Sequence, residues 1–507
     1  MHKVLIANRG EIAVRIARGC RVLGLQSVAV FSDADRLARH VRIADEAVRV
    51  GPAESAQSYL NIEAILAAAK LTGADAVHPG YGFLSENCDF ADAVEAAGLI
   101  WIGPPAKVIE PIQSKTSAKA VAQAAGVPTA PAAVVDDFEP ATLDKIAQTI
   151  GFPLLVKPQD GGGGKGMQRV DRREDLLSAL QTAKRIAASA FKSDKLFVER
   201  YVEHARHVEV QVLGDRYGTV IHAFERDCSV QRRHQKVIEE SPCPVLSEAE
   251  RAAICESGRA FAAQVGYQGA GTVEFLFDPL ERKHYFLEMN TRLQVEHPVT
   301  EVVIGLDLVV AQLRIARGEK LGDIARGKLT QRGHALEVRI YAEDPAAGYV
   351  PQAGTLLRAT WPDVPFVRVD AGFESGDAVP VYYDPMLAKI IAWGGDRDEA
   401  AERMKAALRE TTVHGVVTNI PMLLALMDDA EFRASAVHTG WLDATWGSAA
   451  PGQGEMLTDS AVALLALAGV GGPLAQRGGG DGAQVAARVP DPWDSLAGFR
   501  LSSKGAA

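Results

Sequence analysis

Cysteine is scarce in this chain of 507 residues: Cys20, Cys88, Cys228, Cys243 and Cys255 are all there are, and no CxxC occurs. An odd number at wide spacing excludes a disulfide framework and a Cys-type zinc site, and it fits a reducing cytoplasm. Long apolar runs are also missing. The longest, Ala461 to Val470, is about half a membrane span, so no membrane segment is expected. The start of the chain, charged by Arg9 and Glu11, does not read as a signal peptide. A basic excess is lacking too. The formal net charge is −10, which excludes wrapping of nucleic acid as a main role. The first turn, Ala7-Asn-Arg-Gly-Glu-Ile-Ala13, has no GxGxxG, which speaks against a dinucleotide site even though Asp33 ends the second apolar run. A P-loop of the form GxxxxGK[ST] is absent as well.

What is present is ordinary globular material. Hydrophobic residues make up 47% and charged residues 23%, and the length suggests about three domains. Lys3 to Ala7 and Ser27 to Phe31 are apolar runs flanking a helical stripe of Ile12, Ile16 and Leu23, a β-α-β unit. Ala74 to His78 and Leu99 to Ile102 repeat the strand signal, so residues 1–112 read as a doubly wound α/β layer with a parallel sheet. Thr116 to Ala125 is helical and Phe152 to Lys157 a strand. In Arg206-His-Val-Glu-Val-Gln-Val212 the valines alternate with His207, Glu209 and Gln211, which predicts a half-buried antiparallel strand. A strand-rich α+β block with one clear helix near Asp398 to Arg409 follows from about Gly333 to Trp446. Beyond it lies a Gly-rich tail with one apolar helical patch at 459–470.

Five segments carry chemistry. Gly161 to Gly166, with Lys165 inside it and Lys157 just before it, offers backbone N–H groups and cations to phosphates; a plain flexible hairpin is the alternative. Glu274 and Glu288 flank the turn-like Asp278-Pro-Leu-Glu-Arg-Lys283, and a hairpin centred on Glu281 sets them opposite each other. With Asn290 on the same face they suit Mg²⁺ or Mn²⁺; two solvated glutamates on an open sheet face are the alternative. Every even position from Glu288 to Glu296 is polar, so an extended strand would line one face with Glu288, Asn290, Arg292, Gln294 and Glu296. Arg292 there suits a carboxylate-like anion and Glu296 a general base. Glu225 to Lys236 follows a strand with a dense charged run, which is either a solvated charge run or a set of ATP contacts from Gln231 and His234 with an anion-contacting Lys236. His78 to Glu86 is a turn-rich loop at a strand's C-terminal end, where open α/β sheets bind ligands; on its own it reads equally as a structural turn.

Taken together, Ile6 to Glu11, His78 to Asn87, Gly161 to Met167, Glu225 to Lys236 and Glu288 to Pro298 resemble the signatures of biotin carboxylase, an ATP-grasp ligase. The resemblance covers about residues 1–446. It implies an N-terminal domain over 1–112, an ATP-grasp domain over 113–332 with a lid at about 131–204, a C-terminal domain over 333–446, and a linker with the start of a biotin-transfer-like region over 447–507. It further implies that Lys115 and Lys157 contact ATP phosphates, and that Gly163, Gly164, Lys165, Gly166 and Met167 cover the nucleotide. Glu199 and the Val202 backbone would meet adenine, and His207, Gln231 and His234 would lie along ribose and phosphates. Glu274, Glu288 and Asn290 would hold the divalent ions. Lys236, Arg292, Gln294 and the Val295 amide would bind bicarbonate for Glu296 to deprotonate. Arg339 would stabilise the biotin enolate, with Tyr81, Glu86 and Asp384 shaping that end.

The implied reaction is carboxylation of biotin through carboxyphosphate, the first half-reaction of an acyl-CoA carboxylase. A biotin carboxyl carrier protein or domain, a carboxyltransferase subunit and a second copy of the chain are the implied partners. The acceptor motif Ala-Met-Lys-Met is absent, since the only Met-Lys, Met404-Lys405, sits in a helix, so biotin is expected on another chain or domain. Asp491 to Leu501 resembles the entry to the biotin-transfer region of methylcrotonyl- and geranyl-type α subunits, so the chain is either a shortened α subunit or works with a separate carrier. Two alternatives stay open at this point: an ATP-grasp ligase with a nitrogen acceptor, and a catalytically silent nucleotide-binding scaffold.

Overall fold

The computed structural model describes residues 1–159, 166–191, 193, 195–233 and 235–447. Gly163, Gly164, Lys165 and His234, the 459–470 patch and Asp491 to Leu501 lie outside the described residues. Five parallel strands form the N-terminal sheet in the order Glu46–Gly51, Gln26–Ser32, Lys3–Ile6, Ala76–His78, Ile100–Trp101. Helix Gly10–Val22 packs on it through Ile12, Ile16 and Cys20, and helices Ile62–Thr72 and Cys88–Ala96 start at the side-chain caps Asn61 and Asn87. The connections reverse direction between Lys3–Ile6 and Ala76–His78, which opens a crevice at their C-terminal ends. Asn8 ties the two exits together, donating to the Pro79 and Tyr81 carbonyls at 2.7 Å each. Asp33 pairs with exposed Arg49 at 2.7 Å rather than facing the crevice. Strand Glu46–Gly51 gives no clear sequence signal because it is the sheet edge and exposes Glu46 and Arg49.

A smaller antiparallel sheet joins Ala132–Val135, Leu196–Arg200, Leu154–Pro158 and Gln168–Val170. Helices Pro140–Ile150 and Leu176–Phe191 cover it with their own core of Leu143, Ile146, Leu154, Leu180 and Val198. The main antiparallel sheet has eight strands, in the order Lys283–Asn290, Gly269–Asp278, Arg206–Gly214, Val220–Arg232, Gln235–Ser241, His334–Tyr341, Met386–Gly394, Val367–Ala371. It runs without a break past Gly333, and helix Arg397–Glu410 packs on its far part through Ala400, Met404 and Leu408. Among the described residues no helix is long and apolar enough to cross a membrane, and the five cysteines are free.

Three local expectations change. Strand Arg206–Gly214 is buried along its whole length rather than on one face. Its polar side chains meet fully buried Arg226, which donates to Glu209 (2.6 Å), Gln211 (2.8 Å), Thr300 (3.0 Å) and Thr272 (3.0 Å). Alternation therefore marked a polar core here, not a wet face. The charged run Glu225 to Lys236 does not follow a strand; most of it lies in strand Val220–Arg232, which turns back into Gln235–Ser241. Finally, the strand expected from Glu288 to Glu296 ends at Asn290. The chain then turns, buries Leu293 and enters helix His297–Ile304, which Pro298 favours in its first turn.

Candidate active site

The crevice opens onto a cavity of about 960 Å³ lined by the loops that leave the N-terminal sheet and by strands of the two antiparallel sheets. Strand register builds its floor. Arg226 pairs across to Glu209, Glu209 to Glu274, and Glu274 to Glu288, so three carboxylates stand in one row. The Glu274–Glu288 pairing does not come from a turn centred on Glu281. Asp278 pairs with Lys283 and Phe275 with Phe286; a bulge between Glu274 and Phe275 then brings Glu288 opposite Glu274. The neighbouring row holds Gln211, Thr272 and Asn290.

Such a row needs cations. Lys236 Nζ supplies one at 2.6 Å from Glu209, 3.0 Å from Glu274 and 2.6 Å from Glu296. Burial penalises its charge, but Glu209, Glu274 and Glu296 outweigh that and raise the ammonium well above the usual lysine value. Glu296 occupies the N-cap position of helix His297–Ile304 without a side-chain cap bond and is fully buried. Its other oxygen accepts from Arg339 Nη2 at 3.0 Å, and Arg339 Nε also donates to Glu239 at 2.7 Å. Burial raises the Glu296 carboxyl, yet Lys236, Arg339 and Arg226 together hold it well below the ordinary range, so it is a carboxylate at neutral pH. Arg292 donates to Glu86 at 3.1 Å, Gln294 at 3.1 Å and Asn290 at 3.3 Å. Gln294 in turn donates to Glu274 at 3.3 Å.

The residues fit a divalent ion on chemistry and on charge. Glu288 is pushed up first by burial and then by Glu274, the mark of a carboxylate facing a like charge without enough compensation. Asn290 Nδ2 lies 2.8 Å from Glu274 Oε1. Among the described residues the ligand atoms already clustered within 4.8 Å are those of His207, Glu209 and Glu274, and of Glu209, Cys228 and Glu296; Glu288 stands outside both groups. His207 Nε2 is 3.2 Å from Glu274. Burial lowers its imidazole, but Glu274 overrides this and raises it above the usual histidine value.

The opposite end of the cavity carries phosphate-type cations and apolar walls. Glu199 accepts from Lys157 at 2.7 Å and from Lys119 at 3.1 Å. Lys115, one helical turn before Lys119, faces the same cavity, its ammonium lowered chiefly by burial. Leu155, Met167, Phe197, Val202 and Leu276 line this end.

Family comparisons agree with this layout. The model for "Biotin carboxylase, N-terminal domain" matches residues 1–109, that for "Carbamoyl-phosphate synthase L chain, ATP binding domain" 114–324, and that for "Biotin carboxylase C-terminal domain" 337–444. Biotin carboxylase of Allochromatium vinosum is 47% identical over 449 residues, 88% of this chain and 99% of that protein. The chain belongs to the biotin carboxylase family of ATP-grasp ligases. A mitochondrial methylcrotonoyl-CoA carboxylase subunit alpha of Oryza sativa is 49% identical over 446 residues, 87% of this chain and 60% of that subunit. The chain thus spans about 60% of the length of such curated relatives. Among solved structures, the biotin carboxylase domain dimer of Hydrogenobacter thermophilus 2-oxoglutarate carboxylase, with MgADP, ADP and bicarbonate, superposes with a TM-score of 0.81 at 42% identity. That match covers 87% of this chain and 97% of the domain.

For a biotin carboxylase relative, the expected residues gather well. Lys115, Lys157, Met167, Glu199, Val202, His207, Gln231, Lys236, Glu274, Glu288, Asn290, Arg292, Gln294, Val295, Arg339, Tyr81 and Asp384 all line the one cavity. Gly166 adjoins Met167 at the edge of the described chain. Glu86 and Glu296 stand behind the lining and reach it through Arg292, and through Lys236 and Arg339. Sequence reasoning missed Lys119, Glu209 and Arg226 as partners of these groups, and Glu11 and Lys389 beside Val295. Lys119 was findable as the position four after Lys115 on helix Lys115–Ala124, and Glu209 as the polar neighbour of His207.

Proposed function

We propose that this chain carboxylates biotin borne on a separate carrier, using ATP and bicarbonate through carboxyphosphate. The observation that carries the reading is the Glu296 carboxylate fixed between Lys236 and Arg339. A base held ionised between two cations suits deprotonation of bicarbonate, whose growing negative charge Lys236 and Arg292 would neutralise. Gln294 and the Val295 amide would complete the bicarbonate site. ATP would lie from the Leu155, Met167 and Val202 end toward the glutamate row, with Lys115, Lys157, Gly163 to Gly166 and His234 at its phosphates and Glu199, His207 and Gln231 along it. Mg²⁺ or Mn²⁺ held by Glu274, Glu288 and Asn290 would supply charge neutralisation to the transferring phosphoryl group.

Bicarbonate is a poor electrophile, so phosphorylation must come first. Carboxyphosphate then yields CO₂ and phosphate, and the phosphate takes the ureido proton of biotin. Arg339 would stabilise the resulting enolate, and Tyr81, Glu86 and Asp384 would shape its seat. The reading includes the N-terminal (1–112), ATP-grasp (113–332, lid about 131–204) and C-terminal (333–446) divisions, and a reducing cytoplasmic setting. It also includes a homodimer, a carrier and a carboxyltransferase of an acyl-CoA carboxylase, supported by the methylcrotonoyl-type relatives and the dimeric structural neighbour.

The test is ADP release with Mg²⁺, bicarbonate and free biotin omitted in turn. Release that requires bicarbonate and rises with biotin is expected. Release indifferent to biotin would move the acceptor to an amine, and indifference to bicarbonate would leave only a nucleotide-binding scaffold.

A further inference from the structure

Lys389 is fully buried in the eight-stranded sheet, in register with Arg339 on one side and Asp370 on the other. Its Nζ donates to the Val295 carbonyl at 2.6 Å and lies 3.3 Å from Glu11 Oε1. Glu11 is itself buried in the first turn of helix Gly10–Val22, and the Tyr81 hydroxyl donates to that same Oε1. The second Glu11 oxygen and both oxygens of buried Glu337 have no hydrogen-bond partner among the described residues. Burial disfavours the ammonium, but Glu11, Glu337 and Asp370 overcome this and raise it above the usual lysine value.

The contact matters because of where it falls. Val295 sits between Gln294 and Glu296, at the turn where the expected strand gives way to helix His297–Ile304. Glu296 makes no side-chain cap bond to that helix; the turn's own bonds use the Gln294 and Glu296 carbonyls, and the Val295 carbonyl between them is held by Lys389. An ammonium gripping the Val295 carbonyl fixes the Val295–Glu296 peptide. A shift there of about 1 Å would displace both the Val295 amide and the Glu296 carboxylate, the size of error that costs about a hundredfold in a positioned reaction. The same Glu11 oxygen also accepts from Tyr81, which lines the cavity.

We propose that Lys389 is a positioning residue for the bicarbonate end of the site, acting through the Val295 carbonyl, and that Glu11 ties this hold to Tyr81. The inference rests on the reading of this cavity as a bicarbonate and biotin site. Lys389→Met, Lys389→Arg and Glu11→Gln are compared with the parent full-length chain by KM for bicarbonate, KM for ATP, KM for free biotin and Tm. Removal of a charge-assisted hydrogen bond predicts that Lys389→Met raises the bicarbonate KM about 10- to 100-fold with the ATP KM within about twofold, and that Lys389→Arg recovers part of it. If Lys389→Met does not fold, Glu11→Gln decides; it keeps an acceptor for Tyr81 and should raise the bicarbonate and biotin KM values together, each by about three- to tenfold. Bicarbonate and ATP KM values that move in parallel, or a lowered Tm with both unchanged, overturn the positioning role while the function stands. A parent chain with no bicarbonate-dependent ADP release overturns the function and this inference with it.

Discussion

Glu288→Gln is the sharpest test of the charge logic at the floor of the cavity. Glu288 and Glu274 are directly opposed across two strands, so their Cβ atoms lie about 5 Å apart. At that separation two like charges repel by about 3 kcal/mol in a medium of effective dielectric about 20. Lys115, His207 and Lys236 offset part of this at Glu288. A net gain of about 1 kcal/mol is therefore expected when Glu288 loses its charge and no divalent ion is present, equivalent to a Tm rise on the order of 2 °C. The sign follows from linkage. The Glu288 carboxyl is raised above 4.5, so its share of stability is whole below 4.5 and is lost as pH rises through the folded value. The variant's advantage must then grow with pH and vanish near 4.5. Thermal melts in EDTA across pH would show this, and added Mg²⁺ with ATP should reverse the order, stabilising the parent more than the variant. A variant less stable than the parent in EDTA at neutral pH would mean that the Glu288 charge is already compensated without a divalent ion.

Other consequences follow from the same network. Lys236→Met removes the cation shared by Glu209, Glu274 and Glu296, and kcat for bicarbonate-dependent ADP release should fall about 10²- to 10³-fold. Arg226→Met leaves fully buried Glu209 without its guanidinium and should cost about 3–5 kcal/mol in denaturant unfolding, far more than a surface arginine. The Glu239 carboxyl is pushed up from 4.5 to about 7, first by burial, so the folded protein holds a proton that the unfolded chain releases. Stability measured in urea should fall as pH rises from 4.5 to about 7, and Glu239→Gln should flatten that fall.

The parallel N-terminal layer was legible because apolar runs and a helical stripe recur there with little interruption; its edge strand was not, since Glu46 and Arg49 face solvent. Glu274 and Glu288 were paired correctly from the sequence, but for a reason that fails. The turn is shorter than assumed, and a bulge, which leaves no composition signal, restores the register. The polar run from Glu288 to Glu296 pointed to the right residues and to the wrong backbone. A two-residue period can mark a strand, but buried Leu293 and Pro298 bend this segment into a helix, and the side chains converge from a turn rather than a face. Least legible were the buried charges. Glu337 and Lys389 lie far along the chain from Glu239 and Val295, and only the order of the eight-stranded sheet brings them together, whereas Arg226 meets Glu209 across a hairpin whose burial the pattern does not show. Read alone, each looks like a solvated charge.

Transfer of a carboxyl group from bicarbonate to biotin is tested most directly by incorporation of labelled bicarbonate into free biotin with ATP and Mg²⁺. An acid-labile biotin product is expected, formed only with ATP and reduced in Arg339→Ala further than bicarbonate-dependent ADP release, which also falls because Arg339 holds Glu296. ADP release in step with bicarbonate, but with no label on biotin at any concentration, would contradict transfer to biotin.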